Sequence, residues 1–144
     1  MSKNTNFDNP FNRRIPQDFF KDFLKGYIAC ALWSSTDNSD ESGGLPLDQD
    51  HDEEHLTASC YLRFVADCAD FLQNIMNELS EEDLGRINPE HSGHDFWLTR
   101  NGHGSGFWDR GELEDGGLGD RLSALCKPYG ECSLSLCDNR IYCD

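Results

Sequence analysis

The sequence predicts an α+β fold in which about three helices pack on an antiparallel sheet of about four strands, in the order ααββαββ. Three observations lead to this prediction: two long segments with apolar residues at helical spacing, two aromatic pairs around a glycine-rich loop, and a strictly alternating segment near the C-terminus. The length of 144 residues fits a single domain. We therefore expect a flexible N-terminal segment, 1–15, and one domain, 16–144, with an acidic helical half (16–85) and a sheet-rich half (94–144).

Two amphipathic helices are predicted in the first half of the chain. Pro16 suits the opening turn of the first helix, whose apolar residues recur at helical spacing to about Trp33. The second helix is expected to begin near Asp52 and to continue to about Leu79, with one apolar and one polar face. Ser80 is a candidate N-cap for a further short helical piece. Residues 37–50, which are acidic and contain two glycines and a proline, are predicted to form a flexible loop.

The most distinctive segment reads HDFWLTRNGHGSGFWDR. It contains two aromatic pairs, which favour strands and bury a large area: Phe96-Trp97 and Phe107-Trp108. Glycines between the pairs permit positive φ angles and close backbone approach. We therefore predict a strand over 94–99, a loop over 100–106 and a second strand over 107–109.

The C-terminal residues predict a helix followed by a hairpin. Apolar spacing indicates a helix over 118–127, and residues 131–137 alternate between apolar and polar side chains. Asp138-Asn139 suits a tight two-residue turn. This register pairs Leu136 with Ile141 and places a final strand beside the first.

The chain is strongly acidic, with 27 Asp and Glu against 12 Lys and Arg and a net charge of -15. Residues 26–85 hold about half of the acidic residues and a single basic one, Arg63. Such a field repels the nucleic-acid backbone and anionic membranes, and it attracts a basic surface. We therefore predict a basic host protein or a nucleic-acid-binding complex as the partner, without direct binding of nucleic acid or membrane. A solvated face that serves solubility is the simpler explanation of the same charge.

Hydropathy and cysteine usage indicate a cytoplasmic protein. The mean hydropathy is -0.67, no long apolar run is present, and the N-terminus lacks an apolar signal-peptide region. The seven cysteines are an odd number, form no CxxC pair, and match no common zinc spacing. Reduced and mostly buried thiols are the expected state. A metal site and a disulfide in the terminal hairpin remain alternatives.

Two sets of residues are candidates for partner binding. Carboxylates three to four residues apart along a helix can imitate the charge of a phosphate backbone, and the second helix and the turn after it supply Asp67, Asp70, Glu78, Glu81, Glu82 and Asp83. An outward-facing tryptophan beside a permissive loop can anchor a partner. That set comprises Trp97, Arg100, Asn101, His103 and Trp108. A core position for one ring of each aromatic pair is the competing interpretation.

A reactive or ligand-binding site is the alternative hypothesis. His94, Asp95 and His103 could bind a metal or act in acid–base chemistry, and the glycine-rich loop could hold a phosphate group. Strand alternation, however, would send His94 and Asp95 to opposite faces. The loop also lacks the GxxxxGKS/T pattern of phosphate-binding loops. We predict no catalytic residue and no cofactor.

Four segments of the chain resemble a family of small bacteriophage proteins. They are YIACALWSSTD (27–37), PLD (46–48), HDFWLTRNGHGSGFWDRG (94–111) and KPYGECSLSLCDNRIY (127–142). The family usually has a GHGAG-type loop, and Ser105 stands at its alanine position. The resemblance implies no established activity. It implies a protein encoded by a phage or mobile element and made inside a bacterium, where an acidic protein could inhibit a host defence complex of the CRISPR or restriction type by nucleic-acid mimicry.

Overall fold

The computed structural model describes residues 14–36, 45–102, 106–107 and 110–143. Within these ranges the chain is mostly helical, with short 3₁₀ turns between the longer elements. The elements are α1 (Gln17–Ser34), α2 (Ala58–Glu78), α3 (Glu81–Leu84), α4 (Pro89–Arg100), α5 (Leu118–Cys126), β1 (Leu134–Cys137) and β2 (Arg140–Cys143). None of these helices is long and apolar enough to span a bilayer.

The predicted four-stranded sheet is wrong. In the described residues the sheet has two strands, β1 and β2, and residues 94–99 belong to helix α4. Phe107, predicted to begin a strand, lies in a 3₁₀ turn. The misreading has a physical cause: both members of the pair Phe96-Trp97 are buried, because neighbouring elements cover α4 on most sides. A helix buried on most sides lacks the polar face that makes helical periodicity visible.

The predicted helices of the first half are confirmed, with one shifted boundary. Helix α1 follows Pro16 directly, as expected. Helix α2 begins at Ala58 rather than near Asp52, because Thr57 caps it by accepting a hydrogen bond from the Cys60 amide (3.2 Å). Asp52 instead caps a separate 3₁₀ turn, Glu53–His55.

The C-terminal hairpin is also confirmed, with a shorter first strand than predicted. Leu136 pairs with Ile141 in an antiparallel register. Asp138 and Asn139 form the turn with φ angles of 51° and 63°, as a tight hairpin turn with two left-handed residues requires. The Thr57 amide donates to the Ile141 carbonyl (2.9 Å), so the hairpin is held against the start of α2.

Helices α1 and α4 cross at two glycines, with their backbones in contact. A Cβ atom at Gly26 would lie 2.0 Å from the Glu90 carbonyl oxygen, and one at Gly93 would lie 1.9 Å from the Phe23 carbonyl oxygen. Only glycine permits this approach. The crossing brings aromatic side chains of both helices into one core, where the Phe96 ring also stacks on Phe71 of α2 at 4.1 Å.

Candidate functional site

Arg100, predicted to face a partner, is buried at the end of α4. Its guanidinium donates to Asp67 Oδ2 (2.8 Å), to the Tyr27 hydroxyl (2.9 Å) and to the carbonyl oxygens of Tyr129 and Gly130 (2.9 Å each). Burial by itself lowers the pKa of Arg100, but Tyr27 and Asp67 outweigh burial and raise it. The residue stays charged and joins four segments of the chain. Its role in the structure is to hold the fold together.

The neighbouring candidates Trp97 and Asn101 also make internal contacts. The Trp97 ring is 2% exposed, and its Nε1 donates to Ser34 Oγ (2.8 Å). Asn101 donates to the Trp97 carbonyl (2.9 Å) and accepts from the Cys132 amide (2.8 Å), which closes the C-terminus of α4. These contacts leave neither side chain available as an anchor for a partner. His103 and Trp108, the other two candidates of this set, lie outside the described residues.

An ion pair between Asp95 and Arg110 connects the two segments that contain the aromatic pairs. Asp95 is buried in α4, and Arg110 donates to both of its carboxylate oxygens, from Nε (2.5 Å) and Nη2 (3.1 Å). The hydrogen bond that Arg110 donates to Asp95 raises the pKa of Arg110. This bidentate ion pair fastens the segment after the glycine-rich loop to α4. Both oxygens of the Asp95 carboxylate are therefore engaged by Arg110 and are not free to bind a substrate.

The side chains of His94 and Asp95 have different partners: the His94 ring lies by Trp33 of α1, and the Asp95 carboxylate binds Arg110. The His94 ring is 5.9 Å from the exposed ring of Trp33, and burial lowers the pKa of His94. In the described residues, no group of three or more His, Cys, Asp or Glu side chains is arranged to hold a metal ion. The structure thus does not bring His94 and Asp95 together as a metal or acid–base site, and the third member of that hypothesis, His103, is not described.

Half of the predicted acidic face is engaged in internal contacts. Asp67 pairs with Arg100 and with Arg63 (3.7 Å). Asp83 pairs with two arginines, and the hydrogen bond from Arg121 is the main reason that its pKa is lowered. Asp70 accepts a hydrogen bond from the Tyr129 hydroxyl (2.6 Å). The other three predicted carboxylates are exposed and form no ion pair with another described residue: Glu78, Glu81 and Glu82.

A second acidic surface lies between α1 and α2. We call it the acidic ridge and define it by five exposed carboxylates: Asp48, Asp50, Asp52, Glu53 and Glu54. Two 3₁₀ turns, Leu47–Gln49 and Glu53–His55, form this segment. The sequence predicts this segment only as part of a broad acidic region, 37–83, and singles out none of its five carboxylates, because part of it is assigned to a flexible loop and part to the second helix. The signal was present as the run DQDHDEEH, in which seven of eight residues are acidic or histidine.

Internal contacts hold the ridge in place. Leu47 is buried, and its amide donates to the Ser35 carbonyl at the end of α1 (2.9 Å). His51 Nε2 and Asn139 Oδ1, in the hairpin turn, are 2.9 Å apart in a hydrogen bond. Asp52 caps its turn by accepting from the Glu54 amide (3.0 Å). The carboxylates are thus presented on a folded segment, which lowers the entropy lost on binding.

A shallow groove of about 370 Å³ runs beside the ridge. Ile28, Ala29 and Leu32 of α1 form its apolar floor. Lys25 lines the groove from α1, and Asp52, Glu53 and Glu54 of the ridge complete its lining. The lining thus combines apolar side chains with three carboxylates and one lysine.

The distribution of ion pairs leaves the protein surface acidic. Among the described residues, five arginines pair with three carboxylates, namely Asp67, Asp83 and Asp95; the arginines are Arg63, Arg86, Arg100, Arg110 and Arg121. In the part of the chain that the structure describes, the ridge carboxylates have no arginine or lysine partner within ion-pair distance; Asp52 pairs with His55. The arginines therefore neutralise carboxylates within the fold and leave the ridge charged.

No protein-family model matches this chain, and no curated protein or solved structure is detectably similar to it. The resemblance to small bacteriophage proteins therefore stays a prediction.

Proposed function

We propose that this protein is an acidic interaction protein, encoded by a phage or mobile element, that binds the basic nucleic-acid-binding surface of a host defence complex. The partner would be a CRISPR effector or a restriction enzyme, which the protein inhibits by occupying the place of nucleic acid. The observation that carries the proposal is the ridge: a folded segment of exposed carboxylates with no arginine or lysine partner among the described residues.

The chemistry of the ridge favours a protein partner over a small-molecule substrate. Carboxylates accept hydrogen bonds from lysine and arginine, and arginine can bind one carboxylate with two parallel hydrogen bonds. Nucleic-acid-binding surfaces are rich in both residues. The exposed Glu78, Glu81 and Glu82 extend the available negative charge at the end of α2 and in α3. The proposal does not use Asp67, Asp70 or Asp83, whose carboxylates are engaged within the fold.

Neutralising the ridge is expected to abolish most of the binding. In the variant D48N/D50N/E53Q/E54Q, four exposed charges are lost while the Asp52 cap is kept. Binding to the partner is expected to weaken by roughly tenfold or more, because each lost carboxylate removes a charge that faces the basic surface. The measurement starts from a host protein captured by the native chain from bacterial lysate and compares the affinities of the two forms for that purified protein.

A matched variant tests whether binding depends on the position of the carboxylates or only on the total charge of the protein. The variant E112Q/E114Q/D115N/E131Q removes the same number of exposed carboxylates from other parts of the surface, and it should bind like the native protein. Duplex DNA should compete with the native chain for the captured protein. Capture that resists DNA competition and survives ridge neutralisation would reject the proposal.

Binding is also expected to depend steeply on ionic strength. Salt screens charge–charge attraction between exposed groups, and a partner that holds several carboxylates should lose roughly tenfold in affinity between 50 and 200 mM salt. Titrations by calorimetry at a series of salt concentrations measure this slope. The ridge variant should show a shallower slope than the matched variant, and equal slopes would show that the ridge carries no part of the interaction.

A further inference from the structure

Three of the seven cysteines meet where the hairpin packs on α2. Cys60 and Cys132 are buried, and Cys143, at the end of β2, is partly exposed and packs against the core. Burial raises the pKa of Cys60, and the neighbouring thiols of Cys143 and Cys132 raise it further; burial, together with Cys143, also raises the pKa of Cys132. All three are free thiols in the structure. Neither the fold nor the proposed function requires this grouping.

Backbone contacts fix the approach of Cys60 and Cys143. The Thr57 amide donates to the Ile141 carbonyl (2.9 Å), and Leu56 and Ile141 form a parallel bridge. Cys60 lies one helical turn after Thr57, and its amide donates to the Thr57 cap. Cys143 lies two residues after Ile141, and therefore on the same face of the strand, towards the buried side where Ile141 is 0% exposed. The two thiols are thus brought together by the packing of their elements.

We propose that Cys60 and Cys143 are an oxidisable dithiol. Small disulfides of the glutathione class would convert it reversibly into an intramolecular disulfide between the two residues. This inference goes beyond the proposed function and does not depend on it. The bond would join β2 to α2 and close a loop from residue 60 to residue 143. A closed loop of this size restricts the unfolded chain strongly, so oxidation would stabilise the fold.

Disulfide formation takes two steps, and the difference in solvent exposure between Cys143 and Cys60 determines which thiol reacts in the first step. The Cys143 thiolate attacks one sulfur of the small disulfide, whose S–S bond breaks; one small thiolate leaves and takes up a proton. The Cys60 sulfur, on losing its proton to solvent, then attacks Cys143 Sγ and expels the second small thiol. Two protein thiols are oxidised and one small disulfide is reduced to two thiols. Burial raises the pKa of Cys60, so the partly exposed Cys143 is the sulfur that reacts first.

Oxidation of the full chain with glutathione disulfide tests the proposal. After trapping of the remaining thiols, peptide mapping by mass spectrometry is expected to find one intramolecular disulfide, between Cys60 and Cys143. The melting temperature should rise by about 10 °C and return to its initial value on reduction with dithiothreitol.

Two single variants complete the test. Cys143→Ser changes a partly exposed residue, avoids the risk of misfolding that a change at the buried Cys60 carries, and should lose both the disulfide and the rise in melting temperature. Cys137→Ser removes an exposed thiol of β1 and should behave like the native chain. A disulfide that involves Cys132, a glutathione adduct that persists on Cys143, or a stabilisation that survives in Cys143→Ser would each overturn the assignment.

Discussion

Replacing Arg100 with methionine is expected to lower the free energy of unfolding by about 3–5 kcal/mol, the usual cost of removing one partner of a buried ion pair. The Arg100 side chain is 1% exposed. Its loss leaves the Tyr27 hydroxyl and the carbonyl oxygens of Tyr129 and Gly130 without their donor. It also leaves Asp67 with only the longer contact to Arg63. Urea denaturation followed by circular dichroism measures the change.

Arg140→Met is the matched control for this experiment. Arg140 is exposed at the start of β2, so its replacement should change the free energy of unfolding by no more than about 0.5 kcal/mol. Arg100→Lys should recover only part of the loss, because an ammonium group cannot reproduce the planar arrangement of guanidinium donors. An Arg100→Met protein as stable as the Arg140→Met control would contradict the structural role assigned to this side chain.

Replacing Gly93 with alanine is expected to destabilise the protein by about 3 kcal/mol or more, at or beyond the upper end of ordinary overpacking. The added methyl group would lie 1.9 Å from the Phe23 carbonyl oxygen and 2.9 Å from the Tyr27 amide nitrogen, so α1 and α4 would have to separate. Helix propensity acts in the opposite direction but contributes only about 1 kcal/mol in favour of alanine. The steric clash therefore decides the sign. Thermal and urea denaturation measure the effect.

Gly111→Ala controls for the general effect of adding a methyl group. A Cβ atom at Gly111 would meet no other atom within 4 Å, and its backbone is not left-handed. Its replacement should leave the stability nearly unchanged. Gly26→Ala, on the other side of the crossing, should resemble Gly93→Ala, because its methyl group would lie 2.0 Å from the Glu90 carbonyl oxygen. Equal stabilities for the alanine variants at positions 93 and 111 would refute the close crossing.

The elements that the sequence predicts correctly are those with one solvent-facing side. Helices α1, α2 and α5 each alternate buried and exposed residues with helical spacing, and the hairpin has an unambiguous turn at Asp138-Asn139. For these elements, local pattern and tertiary packing agree. Their boundaries shifted only where caps decide them, as at Thr57.

Helix α4 could not be recognised from periodicity, because most of its side chains are buried. The intrinsic propensity of Phe96 and Trp97 favours a strand, but tertiary packing of these two buried side chains outweighs that propensity. Two weaker signals were available. Asn88 followed by Pro89 is a typical helix start, and the structure shows Asn88 accepting a hydrogen bond from the His91 amide (2.9 Å). Gly93, the glycine directly before the strand predicted over 94–99, marks the helix crossing.

The candidate site was predictable in its charge and unpredictable in its location. Net charge and the excess of carboxylates follow from composition alone. Which carboxylates remain available depends on arginines and tyrosines distant in the sequence, such as Tyr129 against Asp70 and Arg100 against Asp67. The spacing of residues within one helix gives no information about such distant partners. Spacing placed Asp67 and Asp70 on an outward face, and in the structure later parts of the chain supply partners for both carboxylates.

The contacts at the end of α1 have a practical consequence for experiments on this chain. Thr36 and Pro46 form an antiparallel bridge, and the Leu47 amide donates to the Ser35 carbonyl, so both ends of the segment 37–44 are fixed by the fold. The free energy of closing a chain segment between two fixed ends grows only slowly with the length of the segment, by about 0.6 kcal/mol for each doubling. A peptide tag or a fluorescent reporter inserted between residues 37 and 44 should therefore leave the helices intact. That position offers a handle for labelling which leaves both chain termini unmodified.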